Sequence, residues 1–259
     1  MTTRPNQPKP LQGWTVLSLR PRGQHGGLRA AASRRGAHVL ALSPFMIEPL
    51  TDQVHGNSLE QALAADITVW TSPNAVRAAG ALRPLRARPG QLWLAVGSST
   101  QRALQRAGID ACAPSRMDSE GLLAMPELQD IRARSIGLVT APGGRGMLAP
   151  SLADRGARVI RADVYARRTI AISPRALRAL DAALATPDRV LLVVSSQEAL
   201  QCLFIARPPD AHAALADIAV VTASQRLAMV ASTAGFQRIA VATSATPGPL
   251  LQAAARTFT

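Results

Sequence analysis

The sequence predicts an α/β protein whose strands run parallel in sheets covered by helices on both faces. Three observations carry this. A unit of apolar run, Ser/Thr/Pro/Gly turn and amphipathic stretch occurs six times, which is an alternation of strands and helices. The apolar runs, such as Val190 to Val194, are nearly continuous, as parallel strands buried on both faces require. The amphipathic stretches have helical spacing, and Gly108 and Gly235 stand where a C-terminal cap belongs.

Taken in order, the first unit begins at Thr15 (TVLSL), turns through RPRGQHGG and ends on the apolar run HVLAL. The second and third are ITVWTSPNAVRAAGAL from Ile67 and LWLAVGSSTQRALQRAG from Leu92. In the third, Thr100, Ala103, Leu104 and Ala107 share one helix face. IGLVTAPGGRGMLAPSLADRGARVIRA from Ile136 and VLLVVSSQEALQCLF from Val190 are the fourth and fifth. The sixth, from Ile218, places Leu227, Val230, Ala231 and Ala234 on one face. A chain divided in two would carry three or four strands per sheet. The short extended segments Pro44 to Leu50 and Asp163 to Thr169 flank the middle third and read as paired connectors between lobes; simple N- and C-terminal halves also fit the pattern.

The 259 residues suffice for two small domains, and 47% apolar against 17% charged residues is a globular composition. Lys and Arg total 29 against 16 Asp and Glu, a net charge of +13, and Lys9 is the only lysine. Such a surplus favours an acidic partner: nucleic acid, an anionic membrane surface or a polycarboxylate or polyphosphate molecule. The arginines are dispersed and aromatics make up only 3%, which argues against nucleic acid. Most of the surplus reads as arginine standing where lysine might on solvated faces. Cys112 and Cys202 are isolated, so neither a zinc site nor a disulfide framework is expected, and a reducing cytoplasm fits. Residues 1–12 are polar and proline-rich and read as a flexible tail; no signal peptide and no membrane span is expected.

In open α/β sheets, ligands bind beyond the carboxyl ends of the strands, where turns lead into helix N-termini. Those turns here hold Ser72 and Asn74, Gly97 with Ser98, Ser99 and Thr100, Gly143 to Gly146, Ser195 and Ser196, and Thr222 to Ser224. Unpaired N–H groups and the positive dipole end suit carboxylate or phosphate oxygens there. Taken singly, each Ser, Thr or Asn is better explained as an N-cap that needs no ligand, so only their number on one rim is suggestive. APGGRG lacks a phosphate loop's GK[ST] ending and no GxGxxG follows the first strand, which counts against nucleotide binding. His25, His38, His55 and His212 have no metal-ligand spacing; His38 reads as lying within or beside a strand and the other three on surface turns. Neither TSPN nor VSSQ is a serine-hydrolase elbow, and no carboxylates form an acid/base pair. Tyr165, the sole tyrosine, offers a phenolic donor, although its pattern is that of an amphipathic strand residue.

The motifs LRPRGQ (Leu19 to Gln24), GAHVLALSPFMIEPL, TSPNAV, LAVGSST, SEGLL, APGGRGMLAPSLADRGARV, DVYARR and VVSSQEALQCL, in that order and spacing, resemble the uroporphyrinogen-III synthase family from about Trp14 to Ala254. The sequence departs from the family at Leu19, where TRP is usual, at Ser98 after AVG, and at APGGRG, where RGEGGRE is usual; in that loop Gly143, Gly144 and Arg145 are the matching positions. The resemblance implies two flavodoxin-like or Rossmann-like domains joined by a two-stranded antiparallel β-ladder, with the active site in the cleft between them. The expected boundaries are 13–42 with 170–259 for a discontinuous domain, 48–162 for an inserted one, and 43–47 with 163–169 for the ladder.

The implied activity is a cofactor-free, metal-free lyase reaction of haem biosynthesis in the cytoplasm. Hydroxymethylbilane, a linear tetrapyrrole with eight carboxylates, closes to uroporphyrinogen III with inversion of ring D and loss of water, through azafulvene and spiro intermediates. The resemblance further implies a monomer that takes its substrate over from hydroxymethylbilane synthase, with neither a nucleic-acid nor a membrane partner. Tyr165 matches the tyrosine suspected of protonating the leaving hydroxyl. Thr100, Ser224 and Gln225 match substrate-side hydroxyl positions, the hydroxyl being absent at Gln225, and Arg20 and Arg145 are expected near the substrate. Two other classes fit the pattern: a two-domain sensor that binds an anionic small molecule without chemistry, and a basic nucleic-acid-associated regulator.

Overall fold

The computed structural model describes residues 9–143 and 146–259. In chain order its main elements are β1 (Thr15–Ser18), α1 (Gly26–Ser33), β2 (His38–Ala41), β3 (Phe45–Pro49), α2 (Gln53–Leu63), β4 (Ile67–Trp70), α3 (Pro73–Leu82), β5 (Leu92–Ala95), α4 (Ser98–Arg106), α5 (Ser119–Leu123) and β6 (Ser135–Thr140). There follow α6 (Leu148–Asp154), β7 (Arg158–Asp163), β8 (Tyr165–Thr169), α7 (Pro174–Leu184), β9 (Val190–Val194), α8 (Gln197–Ile205), α9 (Ala213–Ala216), β10 (Ala219–Thr222), α10 (Gln225–Thr233), β11 (Arg238–Val241) and α11 (Pro247–Phe258). They form two compact units, one taking the chain up to Met46 and again from Arg168, the other Ile47–Arg167.

The discontinuous unit has one parallel sheet in the order β11-β10-β9-β1-β2. Counted within the unit this is the flavodoxin order, and the direction of winding reverses between β1 and β9. The sheet has five strands rather than the expected three or four, because β1 and β2 precede the insertion and β9 to β11 follow it. Alternation along the strands builds two cores. Leu17, Leu192 and Val220 pack on one face with Leu180 of α7, Leu200 of α8 and Leu227 of α10. Val16, Leu191, Val193 and Val221 pack on the other with Leu28 of α1 and Leu251 of α11. Burial on both faces is why these strands read as unbroken apolar runs.

The segment Lys9 to Gln12 corrects the expected tail of 1–12, of which residues 1–8 lie outside the described residues. Leu11 is fully buried beside Trp14 and Leu28, and its N–H donates to the Arg35 carbonyl at 2.9 Å. Burial of one leucine outweighs the proline-rich local composition.

The inserted unit has a four-stranded parallel sheet, β5-β4-β6-β7, reversing between β4 and β6. One core gathers Ile67, Val69, Leu94 and Leu138 with Leu122 of α5 and Leu152 of α6. The opposite one is built on Trp70 and Trp93, stacked at 5.2 Å, with Leu59 of α2 and Leu104 of α4. The buried Trp70 indole donates to Thr68 at 3.0 Å, so its polar atom is satisfied inside the core. At Gly137 in β6 an added Cβ would strike the Ala62 carbonyl of α2, so glycine is what lets that helix lie on the sheet. β3 and β8 pair as a two-stranded sheet, closed by Ile170 N–H to Pro44 O and Leu50 N–H to Val164 O, an antiparallel register.

Candidate active site

The carboxyl ends of the strands form one rim in each unit. In the inserted unit the reversal between β4 and β6 is closed by hydroxyls. The Thr71 N–H continues the ladder to the Val139 carbonyl at 3.2 Å, and the Thr71 hydroxyl donates to that of Thr140 at 2.9 Å. Ser72 follows in extended conformation as the N-cap of α3, its Oγ accepting the Ala75 N–H at 3.1 Å, with Pro73 at the first helical position. The same Oγ lies 3.0 Å from the Tyr165 hydroxyl. Tyr165 is placed by its predecessor: Val164 is fully buried, and its N–H donates to the Thr140 carbonyl at 3.0 Å. The half-buried ring packs on the Trp70 core, leaving its polar end at the start of α3.

The other expected residues of this unit are distributed more variously. Asn74 hydrogen-bonds with the Arg77 side chain. Gly97 is the N-cap of α4; Ser98 is half-buried with its N–H directed to the Met117 sulfur at 3.2 Å, and Ser99 is exposed. Thr100, expected beside the substrate, is only 2% exposed and shares the inward face of α4 with Ala103 and Leu104. Its helical phase buries it, which corrects that expectation. Gly143 is exposed with φ of 73°. Gly144 and Arg145 lie outside the described residues. Arg161 secures the start of that loop, donating to the Ala141 carbonyl at 3.1 Å while paired with Asp163 at 3.0 Å.

In the discontinuous unit, Ser196 and Ser224 cap α8 and α10, accepting the N–H groups of Ala199 and Leu227 at 3.3 and 3.4 Å. Ser195 and Gln225 beside them are exposed. Arg20 differs from the surface arginines. It is half-buried after β1 and donates through Nη2 to the Ala245 carbonyl at 3.2 Å, while its Nε is buried with no hydrogen-bond partner among the described residues. Burial pushes its pKa down. The buried Nε therefore retains a donor with capacity for one further acceptor.

His25 corrects the expectation of a surface turn. It is 5% exposed, with Nδ1 2.8 Å from the Ser18 hydroxyl and Nε2 2.8 Å from that of Ser43. Burial, then the charges of Arg29 and Arg20, push its pKa down. His55 instead lies in α2 against Asp52 at 2.6 Å, and the half-buried His212 ends a 3-10 turn. Sequence reasoning missed Thr71, Thr140 and the His25 cluster. The two threonines lie in strand-end positions that pattern marks only as turns, and a histidine's burial has no periodic signal. Among the described residues no group of three or more His, Cys, Asp and Glu side chains could hold a metal ion.

A family model described as uroporphyrinogen-III synthase HemD matches residues 27–252. The chain belongs to the uroporphyrinogen-III synthase family. The matched residues take in Ser72, Tyr165, Ser196 and Ser224 but begin after Arg20. The uroporphyrinogen-III synthase of Salmonella typhimurium is 33% identical over 177 residues, 64% of this chain and 70% of that protein. The Escherichia coli enzyme is 32% identical over 166 residues, 62% of this chain and 65% of its own length. The fold is shared with a methionine-substituted uroporphyrinogen III synthase from Thermus thermophilus, at TM-score 0.58 and 22% identity over 94% of this chain and 98% of that one. It is shared also with the Helicobacter pylori protein, at TM-score 0.59 and 14% identity over 93% and 97%. As a uroporphyrinogen-III synthase family member the chain is an enzyme of porphyrin biosynthesis with a small-molecule substrate. The sensor and nucleic-acid readings find no support in these relationships. Among the described residues no helix is long and apolar enough to cross a membrane.

Proposed function

We propose that this enzyme cyclises hydroxymethylbilane to uroporphyrinogen III, inverting ring D and losing water, as a cofactor-free lyase. The observation that carries the chemistry is the Tyr165 hydroxyl held at the N-terminal end of α3, 3.0 Å from Ser72. When the terminal hydroxyl of the substrate leaves, its pyrrole nitrogen supplies the electron pair that forms the azafulvene, so no protein nucleophile is needed. Tyr165 protonates the departing oxygen, which leaves as water. Ring D then attacks through its substituted carbon to give a spiro intermediate that fragments and recloses inverted. The proton lost from the ring carbon at final closure restores the phenol. The protein's part is positioning and electrostatic control, which is why the sequence holds no triad or paired carboxylates.

As carboxylate partners we propose, in the discontinuous unit, Arg20 and the helix starts at Ser196 and Ser224, and in the inserted unit the helix starts at Ser72 and Gly97 to Ser99 with the exposed Gly143. The same reading makes the enzyme a cytoplasmic monomer that takes its substrate from hydroxymethylbilane synthase. Isolated cysteines support the reducing compartment, and the ease with which free hydroxymethylbilane closes without inversion favours direct transfer. Supplying freshly generated hydroxymethylbilane to the purified protein, oxidising the products and resolving the porphyrin isomers tests the proposal. Dominant type III isomer is expected; type I alone overturns it.

A further inference from the structure

We infer that Ser72 is a positioning residue for Tyr165: its hydroxyl donates to the phenolic oxygen and leaves the phenolic proton free for the substrate. This rests on the reading of Tyr165 as the acid. A serine hydroxyl has one proton and two lone pairs. The Ala75 N–H fills one lone pair of Ser72 at 3.1 Å, and the remaining contact, to Tyr165 at 3.0 Å, is able to run in either direction. The two directions differ chemically. A tyrosine that donates to Ser72 has its proton held on the cap and is no acid. A serine that donates turns the phenolic proton outward.

The second arrangement also stabilises what the reaction produces. As the Tyr165 O–H bond breaks, its proton joins the leaving oxygen and the substrate C–O bond breaks to release water. The negative charge then grows on an oxygen that already accepts a hydrogen bond, at the positive end of the ten-residue helix α3. A hydrogen bond to a forming anion strengthens as the charge develops, so it favours the transition state over the ground state. The cap and the acid are therefore joined: Ala75 N–H orients Ser72, and Ser72 orients Tyr165. A residue that only caps α3 has no such dependence on Tyr165.

The test compares kcat and KM for the wild type, Ser72→Gly, Ser72→Thr, Tyr165→Phe and the double variant Ser72→Gly/Tyr165→Phe. Glycine is itself accepted at N-caps, so α3 is retained while the hydroxyl is lost. Ser72→Gly is expected to lower kcat about tenfold with little change in KM, and Ser72→Thr to restore it. In the Tyr165→Phe background Ser72→Gly is expected to have no further effect, since its partner is gone. Equal losses in both backgrounds, or a change confined to KM, overturn the inference while leaving Tyr165 as the acid. Undiminished turnover by Tyr165→Phe alone removes the acid reading itself, and the inference with it.

Discussion

The Thr71 hydroxyl donates to the Thr140 hydroxyl at 2.9 Å, joining the residue after β4 to the last residue of β6. These are the two strands between which the winding of the inserted unit reverses, and Ser72 stands one residue further on. Thr71→Val keeps the shape and removes the donor, leaving the 8%-exposed Thr140 short of a partner. A loss of about 1 kcal/mol is expected, seen as a lower urea midpoint at unchanged slope.

Removal of the phenol is the most direct probe of the chemistry. Tyr165→Phe retains the ring that packs on the Trp70 core, and Ser72 retains the Ala75 N–H. Thermal stability should stay near that of the wild type while kcat falls about a hundredfold. Steady-state kinetics beside a melting curve separate the two; unchanged kinetics would return Tyr165 to a packing role.

Arg20 should show the reverse of a structural arginine. Its Nε is buried without a hydrogen-bond partner among the described residues, and burial already works against its charge. Arg20→Met fills a similar volume with no polar atom to satisfy, so the melting temperature is expected to hold or rise. Loss of a carboxylate partner should raise KM about tenfold. A drop in stability at constant KM would assign Arg20 to the fold.

His25 gives a pH dependence of definite sign. Its folded-state pKa lies below the ordinary 6.5, first because of burial and then because of Arg29 and Arg20. The unfolded chain therefore takes up this proton more readily than the folded one. Stability from His25 is complete above pH 6.5, declines as pH falls below it, and changes no further once the folded-state pKa is passed. Melting temperatures across that range should fall with acid, and His25→Gln should flatten the curve even though it is less stable at neutral pH.

Local pattern carried the fold a long way. The six repeated units correspond to parallel strands and helices because strands buried on two faces must be apolar throughout, and Ser72, Ser196 and Ser224 cap their helices because a short hydroxyl side chain reaches the N–H three residues on. Pattern went wrong where a distant part of the chain decides the outcome. Leu11 is buried in a core shared with Leu28 of α1 and Leu251 of α11, and Thr100, a rim residue by its place at the start of α4, lies on the inward face of that helix.

The sequence by itself determined an α/β chain with hydroxyl-bearing helix starts and no conventional catalytic cluster, since these follow from residue type and spacing within about ten positions. Only the tertiary structure decided which of those groups meet. Ser72 and Tyr165 are 93 residues apart, Thr71 and Thr140 are 69, and His25 reaches a serine 18 residues beyond it. The physical reason is that parallel strands bring their carboxyl ends together only after intervening helices have crossed the sheet. Neighbours on the rim are thus fixed by strand order, which short-range periodicity does not encode.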